Sequence, residues 1–316
     1  MSTTRRIRYA AVLTAVIAAM LPNWPKLRAE DVPSTAPADL VRKAVQNEVG
    51  SSPDRLKFMF RQFKDTPHGS ETKLIVETRD ASAGLLVAIN GKPLTPEQRQ
   101  QEEARLQNLI NNPDALAKKR KSEKEDTQNT ERILKALPDA FLYEYDGTET
   151  GRTGLGKDGD ELVRLKFRPN PKYDPPTHTE QVLTGMQGSM LIDATEYRLA
   201  KIDGMLFKQV GFGWGILGHL DKGGRFLVEQ GDVGDKHWEV THMTLDFTGK
   251  VLLVKSLKIK TNELYTDFHP APPDLTFAEG VEFLKKQPTA MGKNQPPCPP
   301  SEACDPFSQA ALSTHR

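Results

Sequence analysis

The sequence predicts an α+β protein, built on one curved antiparallel sheet with outer helices and a helical insertion. Short β-rich runs separated by turn residues fill most of the chain after residue 55. After residue 141, no helical pattern long enough to be a crossover separates these runs, so neighbouring strands have to be antiparallel. One run alternates glycine with bulky apolar residues, which is typical of a strand that bends sharply.

Residues 1–29 have the composition of a secretory signal. MSTTRRIR is a basic start, residues 9–21 are apolar apart from Thr14, and Ala29 is a small residue at which a peptidase can cut. The alternative is a single membrane anchor, which is disfavoured because a span needs about 20 apolar residues and Pro22 ends this run early. We therefore expect a mature chain that starts near Glu30 and is exported, soluble and periplasmic, with no stable membrane insertion.

The charge of the mature chain argues against one class of partner. The 316-residue chain has a formal net charge of +1, and removal of residues 1–29 takes away five cations and no acid, which leaves −4. This balance gives no reason to expect nucleic acid.

The predicted domain, residues 38–286, opens with an amphipathic helix and a β-meander. Residues 38–49 place five apolar side chains on one helical face: Leu40, Val41, Ala44, Val45 and Val49. The period then changes to two in residues 56–63, 72–80 and 84–92, and Asn90-Gly91 favours a tight turn.

Residues 95–137 interrupt the strands with a helical insertion. Thr95-Pro96-Glu97-Gln98 combines an N-cap, a proline at the first helical position and a glutamine that completes a capping box. The segment carries few apolar residues, so each helix has only a narrow stripe to bury. Two interpretations stay open: a solvated helical excursion between strands, or a lid or partner-docking arm.

Strand patterns return after Phe141 and continue to about residue 267, which gives roughly nine to eleven strands in all. Residues 272–286 are typical of a final helix. The proline-rich tail, residues 287–316, contains Cys298 and Cys304, which either close a small disulfide loop or belong to a disordered segment. Two thiolates without a nearby histidine leave a zinc tetrahedron half empty, so a metal site is disfavoured.

Residues 213–218 match the G-x-G-x-x-G pattern of dinucleotide-binding loops. That site needs a helix directly after the pattern, because the pyrophosphate rests on the helix N-terminus. Here a turn and another strand follow, so we expect no dinucleotide cofactor. Strand alternation instead places Gly211, Gly213 and Gly215 on one face and Phe212, Trp214 and Ile216 on the other.

The segment MQGSMLIDATEYRLAKIDGML, followed by VGFGWGILGHLDKGGRFLVEQGDVGDKHWEVTHMTLDF, resembles the exported lipoprotein carriers of the LolA and LolB type. The resemblance covers residues 141–283 well and residues 40–92 loosely, and excludes the insertion and the tail. It implies an incomplete, open antiparallel β-barrel, covered by helices, whose apolar cavity holds acyl chains of lipids or lipoproteins. The chain lacks the lipid-attachment cysteine of the anchored LolB type. The superfamily also includes periplasmic sensory domains.

Other candidate sites are weak. His237 and His242 lie five residues apart, on opposite faces of a strand, which disfavours a shared metal. The chain contains neither G-x-S-x-G nor H-E-x-x-H, and Ser189 has no base nearby in sequence. We therefore expect no enzymatic activity, no metal and no cofactor.

The sequence thus favours a periplasmic carrier or sensor of an acyl chain, with a lipid or lipoprotein as ligand. The residues expected to line the cavity lie on one face of the glycine-rich strand, Phe212, Trp214 and Ile216, and on single faces of the strands expected beside it, Met190 with Ile192 and Phe226 with Val228. The alternative is a closed barrel filled by its helices, which binds no ligand and serves as an interaction module for an envelope protein.

Overall fold

A computed structural model of the chain describes residues 35–50, 56–212, 218–234, 236–251 and 255–287. The predicted signal, the tail with Cys298 and Cys304, and the predicted cavity residues Trp214 and Ile216 lie outside these ranges. The chain divides into a unit of Met1–Ala36 and a unit that begins at Pro37. The helices and strands of the described residues belong to the second unit.

Among the described residues the structure contains five α-helices, one short 3₁₀ turn and thirteen strands. The helices are α1 (Pro37–Val49), α2 (Pro96–Asn111), α3 (Pro113–Ala140), α4 (His178–Gln181) and α5 (Phe277–Lys285). The strands before the segment 213–217, which lies outside the described ranges, are β1 (Phe58–Thr66), β2 (Gly69–Val76), β3 (Ala83–Ile89), β4 (Lys92–Pro93), β5 (Phe141–Thr150), β6 (Glu161–Pro169), β7 (Met186–Asp193), β8 (Arg198–Leu206) and β9 (Val210–Phe212). Those after it are β10 (Gly218–Leu220), β11 (Arg225–Asp232), β12 (Trp238–Val251) and β13 (Lys255–Pro270).

The strands form one antiparallel sheet in the order β4-β3-β2-β1-β13-β12-β11-β8-β7-β6-β5. Within the described part of the chain, the end strands β4 and β5 do not pair with each other, so the sheet is open. The short strands β9 and β10 form a side ribbon, in which β10 pairs with β12. The prediction of an α+β fold with an open antiparallel sheet is therefore confirmed.

Helix α1 buries the apolar face that the sequence predicts. Leu40, Val41, Ala44 and Val45 are buried in a core with the last turns of α3 and with β6, β7 and β8. The helix has a stripe of about one third of its surface to bury, and the sheet offers a matching apolar face.

The insertion is a pair of helices, α2 and α3. The capping box at Thr95 starts α2 as predicted, with Gln98 donating its backbone N–H to the Thr95 hydroxyl. Asn112 ends α2 and caps α3 through its side chain. Helix α3 continues to Ala140, three residues past the predicted end, because Leu137, Pro138 and Ala140 are buried against the sheet.

Strand register shows that the two main cores lie on opposite faces of the sheet. Residues directly opposite in neighbouring strands share a face. From Met190 the pairing runs through Ile202, Val228, Met243, Glu263 and Lys64 to Glu71. We call this the front face; it carries the core under α1 and α3.

Leu74 and Val76 have the opposite parity from Glu71, so they point to the back face. Helix α5 packs there: the Cα of Gly280 lies so close to the sheet that an added Cβ would stand 3.2 Å from Val76 and 2.6 Å from Thr78. The final helix, expected among the outer helices, is therefore on the other side of the sheet from α1.

Helix α2 lies along the outer edge of β3. The Glu102 carboxylate accepts the Leu86 N–H at 2.8 Å, and Arg105 donates to the Gly84 carbonyl at 3.0 Å. Glu123 of α3 accepts the Ser82 N–H at 3.0 Å. An open strand edge is a template for pairing with another chain, and these side chains occupy its hydrogen-bonding groups.

Candidate functional site

The candidate site is an apolar cavity on the front face of the sheet, between the last turns of α3 and strands β6, β7, β8 and β12. Its volume is about 390 Å³, which lies within the usual range for small-ligand sites. The lining side chains are apolar except at the short helix α4: Ile133, Leu137, Phe141, Phe167, His178, Thr179, Val182, Leu183, Met186, Met190, Ile202, Phe212, Leu220, Phe226, Leu245 and Phe247.

Three of the predicted cavity residues line this space. Met190 on β7 is buried, and Phe212 on β9 and Phe226 on β11 are half-buried at its surface. They come together although β9 pairs with β10, and not, as expected, with the strands of Met190 and Phe226. The side ribbon attaches to the end of β12 and brings Phe212 over the same face.

The other predicted residues have different positions. Ile192 is fully buried in the core beside the cavity and does not line it. Val228 is half-buried on the front face, opposite Ile202, and is also outside the lining. Trp214 and Ile216 lie outside the described residues.

Glycines make room for the aromatic floor of the cavity. A Cβ on Gly204 of β8 would stand 2.3 Å from the Phe226 ring, and one on Gly224 would stand 2.5 Å from the Phe247 ring. Both distances are too short for carbon atoms in van der Waals contact. The two phenyl rings therefore lie against bare backbone, which leaves the space above them open.

The insertion supplies one wall of the cavity through Ile133 and Leu137 of α3. The phenol of Tyr143 on β5 holds this turn by donating to the Leu137 carbonyl at 2.6 Å. On the N-terminal side of this wall, residues 124–130 of α3 are exposed on every side, over about two helical turns. Helix α3 is thus held at the β3 end and at the cavity, and its middle crosses between them without packing on the sheet.

Sequence reasoning missed most of the lining because those residues come from elements it had not placed beside the glycine-rich run. Ile133 and Leu137 were visible as part of the narrow apolar stripe of the insertion. Leu245 and Phe247 alternate on β12, which is the pattern of one strand face. The pairing of β12 with the side ribbon was the missing information.

The front face becomes polar one strand beyond the cavity. Thr261 on β13 is opposite the lining residue Leu245, and Glu263 is opposite Met243. Glu263 is buried and accepts hydrogen bonds from Gln62 and Tyr265 at 2.7 Å each, with Lys64 at 2.9 Å. Burial raises the pKa of Glu263, but the bonds from Lys64 and Tyr265 outweigh it and hold that pKa below its ordinary value. This ionised cluster bounds the apolar surface.

A second concave region lies on the back face of β6, β7 and β8, with a volume of about 460 Å³. Its lining is charged, and two of its cations pair with acids of the same lining: Arg164 with Glu149, and Lys166 with Asp146 at 2.6 Å. Paired charges in an exposed region attract a ligand only weakly. The apolar cavity is therefore the better candidate.

His242 is the most buried histidine of the described residues, and it lies on the back face. It is 6% exposed, with Nδ1 3.0 Å from a Glu229 carboxylate oxygen and Nε2 2.8 Å from the Asn262 side-chain oxygen. Burial lowers the pKa of His242, but the hydrogen bonds to Glu229 and Asn262 outweigh it and raise that pKa above 6.5. Since both ring nitrogens face acceptors, the protonated imidazolium fits this position.

In the part of the chain that the structure describes, none of the helices combines the length and the apolar character needed to cross a membrane.

Comparison with known proteins returns no match, either among models of protein families or among curated protein sequences. A function for this chain therefore has to be inferred from the geometry of the cavity.

Proposed function

We propose that the protein is a non-catalytic carrier or sensor that holds the acyl chain of a lipid or lipoprotein in the apolar cavity. The observation that carries the proposal is a volume of about 390 Å³ with an almost wholly apolar lining. Burial of an acyl chain against such a lining contributes about 0.8 kcal/mol per methylene. The polar groups of His178 and Thr179, at one side of the lining, suit the polar end of an amphipathic ligand.

The proposal includes the finer features that the resemblance to LolA and LolB-like carriers implies. In this account the curved sheet is an incomplete barrel, the end of α3 and helix α1 are its cover, and the protein works in the periplasm after its signal is removed. The half-buried Phe212 and Phe226 support an accessible cavity, since side chains in a closed core would be buried.

Neighbouring residues on β11 provide a matched test. Phe226 points into the cavity on the front face, and Leu227 points to the back face; both are half-buried. We expect the protein to bind a fatty acid that carries an environment-sensitive fluorophore. Phe226→Gln should weaken this binding at least tenfold, because it places an amide that lacks a partner against the acyl chain.

Leu227→Gln is the control and should keep the affinity of the parent protein, while thermal melting verifies that both variants are folded. Equal losses in the two variants would contradict the assignment of the cavity. A folded parent protein that does not bind the probe would favour a helix-filled sheet that acts as an interaction module.

A further inference from the structure

Strand β13 runs past β1 at one end of the sheet, and the end of β12 beside it runs past β11 and pairs with the short strand β10. Strand β1 pairs with β13 only from Asn262 onward, and β11 pairs with β12 only up to Asp246. Among the described residues, 255–261 therefore have β12 as their only strand partner. We call residues 247–251 and 255–260 the basic hairpin; the surface is defined without residues 252–254, which lie outside the described ranges.

The basic hairpin carries charge of one sign. The sequence from residue 247 to residue 261 has four lysines, Lys250, Lys255, Lys258 and Lys260, and no acidic residue. All four lysines are exposed. Only Lys260 has an acid within 4 Å among the described residues, Asp246 at 3.9 Å, where both partners are exposed and the pair contributes little.

The hairpin also exposes apolar side chains on one face. Val251 and Ile259 are each 38% exposed, which makes them the two most exposed large apolar side chains of the described residues. Ile259 is opposite the cavity residue Phe247 and shares the front face with it. The lysines Lys250, Lys258 and Lys260 have the opposite parity and lie on the back face.

We propose that the basic hairpin docks the protein on an anionic lipid surface. Lysines attract negatively charged head groups, and the exposed Val251 and Ile259 reach the boundary of the acyl region, which together is the chemistry of interfacial membrane binding. The inference rests on the proposed function, since a carrier of acyl chains has to meet the membrane that donates or accepts them. The apolar stripe from Ile259 through Phe247 to Leu245 leads from the docked end into the cavity.

Vesicle flotation with the purified protein tests this docking. We expect binding to vesicles of phosphatidylcholine mixed with phosphatidylglycerol, weaker binding to phosphatidylcholine alone, and a loss at high salt because salt screens the attraction. Lys255→Gln together with Lys258→Gln should lower the partition into anionic vesicles about 25-fold, since each lysine near such a surface contributes about a factor of five.

The matched control is Lys118→Gln with Lys121→Gln, two exposed lysines on α3. It should leave the partition unchanged. Docking by the hairpin is overturned if the parent protein ignores anionic vesicles, if the α3 variant loses as much binding as the hairpin variant, or if the protein binds only soluble polyanions such as heparin.

The fluorescent fatty acid separates this inference from the proposed function. The hairpin lysines do not line the cavity, so the hairpin variant should bind the probe with the affinity of the parent protein. Vesicle binding without probe binding would remove the carrier function and leave the docking surface in place. Probe binding without vesicle binding would overturn the docking surface and leave the carrier function in place.

Discussion

At the scale of single residues, His242 and Glu229 form a polar contact that the sheet holds away from water. Lys201 lies 3.3 Å from the same carboxylate, so Glu229 joins two cations when His242 is protonated. Burial raises the pKa of Glu229, but His242 and Lys201 outweigh it and hold that pKa below its ordinary value. The contact is therefore strongest between the two titrations, at weakly acidic pH.

The raised pKa of His242 predicts how stability depends on pH. A group whose pKa is higher in the folded state stabilises the fold fully below its unfolded pKa of about 6.5, and this contribution is lost as pH rises through the folded pKa. We expect the difference in free energy of unfolding between the parent protein and His242→Gln to shrink above pH 6.5. The change should be on the order of 1 kcal/mol, the net contribution of a typical hydrogen bond in a folded protein.

Denaturant titrations across this pH range measure the difference, and His68→Gln, at an exposed turn residue, is the control. A difference for His242→Gln that stays constant with pH would show that the imidazole is neutral when folded.

Strand alternation predicted the face of each candidate side chain, but not which of them line the cavity. Strand alternation identified Met190, Phe212 and Phe226 as apolar side chains of suitable faces, and all three line the cavity. Ile192 has the same face as Met190 but is covered by the core, because α1 packs on that end of the sheet. A period of two gives the face of a side chain and not what covers it.

At the scale of elements, the insertion covers the edge of β3 and supplies one wall of the cavity, two structural roles that its composition does not indicate. Glu102 is an acidic residue in a highly charged helix, which indicates solvent exposure, yet it is only 6% exposed. Its carboxylate holds Arg105 at 2.6 Å as well as the Leu86 N–H. The sequence predicted the start of α2 from local capping chemistry, whereas the contact with the β3 edge depends on tertiary packing.

The buried carboxylate gives a prediction for this element. Glu102→Ala should lower the free energy of unfolding by about 2 to 4 kcal/mol, because it leaves the Leu86 N–H and part of Arg105 without their partner. The uncovered edge should also increase aggregation during storage. Urea denaturation and light scattering measure the two effects.

Glu103→Ala is the neighbouring control, since Glu103 is exposed; its effect should stay within about 0.5 kcal/mol. Similar stability in the two variants would mean that α2 does not protect the edge.

At the scale of the whole sheet, the sequence predicted the open antiparallel sheet because each hairpin has local turn signals and alternation. It did not predict that α5 and α1 pack on opposite faces. That result follows from the pairing register of eight neighbouring strands, from β6 to β2. A one-residue shift of register between any two of them would place the two cores on the same face.

The cavity and the exposed Ile259 of the basic hairpin share the front face of this sheet, joined along β12 by Leu245 and Phe247. The polar cluster around Glu263 borders the cavity on the β13 side. In the proposed function, an acyl chain therefore lies between the end of α3 and β12, and the proposed docking by the hairpin connects this region to a lipid surface.

Native mass spectrometry of the protein purified gently from the cells that produce it tests the central claim most directly. The account predicts a population of protein with an added mass in the range of a lipid or an acylated peptide, which organic extraction removes and Phe226→Gln diminishes. Only the mass of the unliganded chain, from protein that also does not bind an added fatty acid, would contradict the claim that the cavity holds an acyl chain.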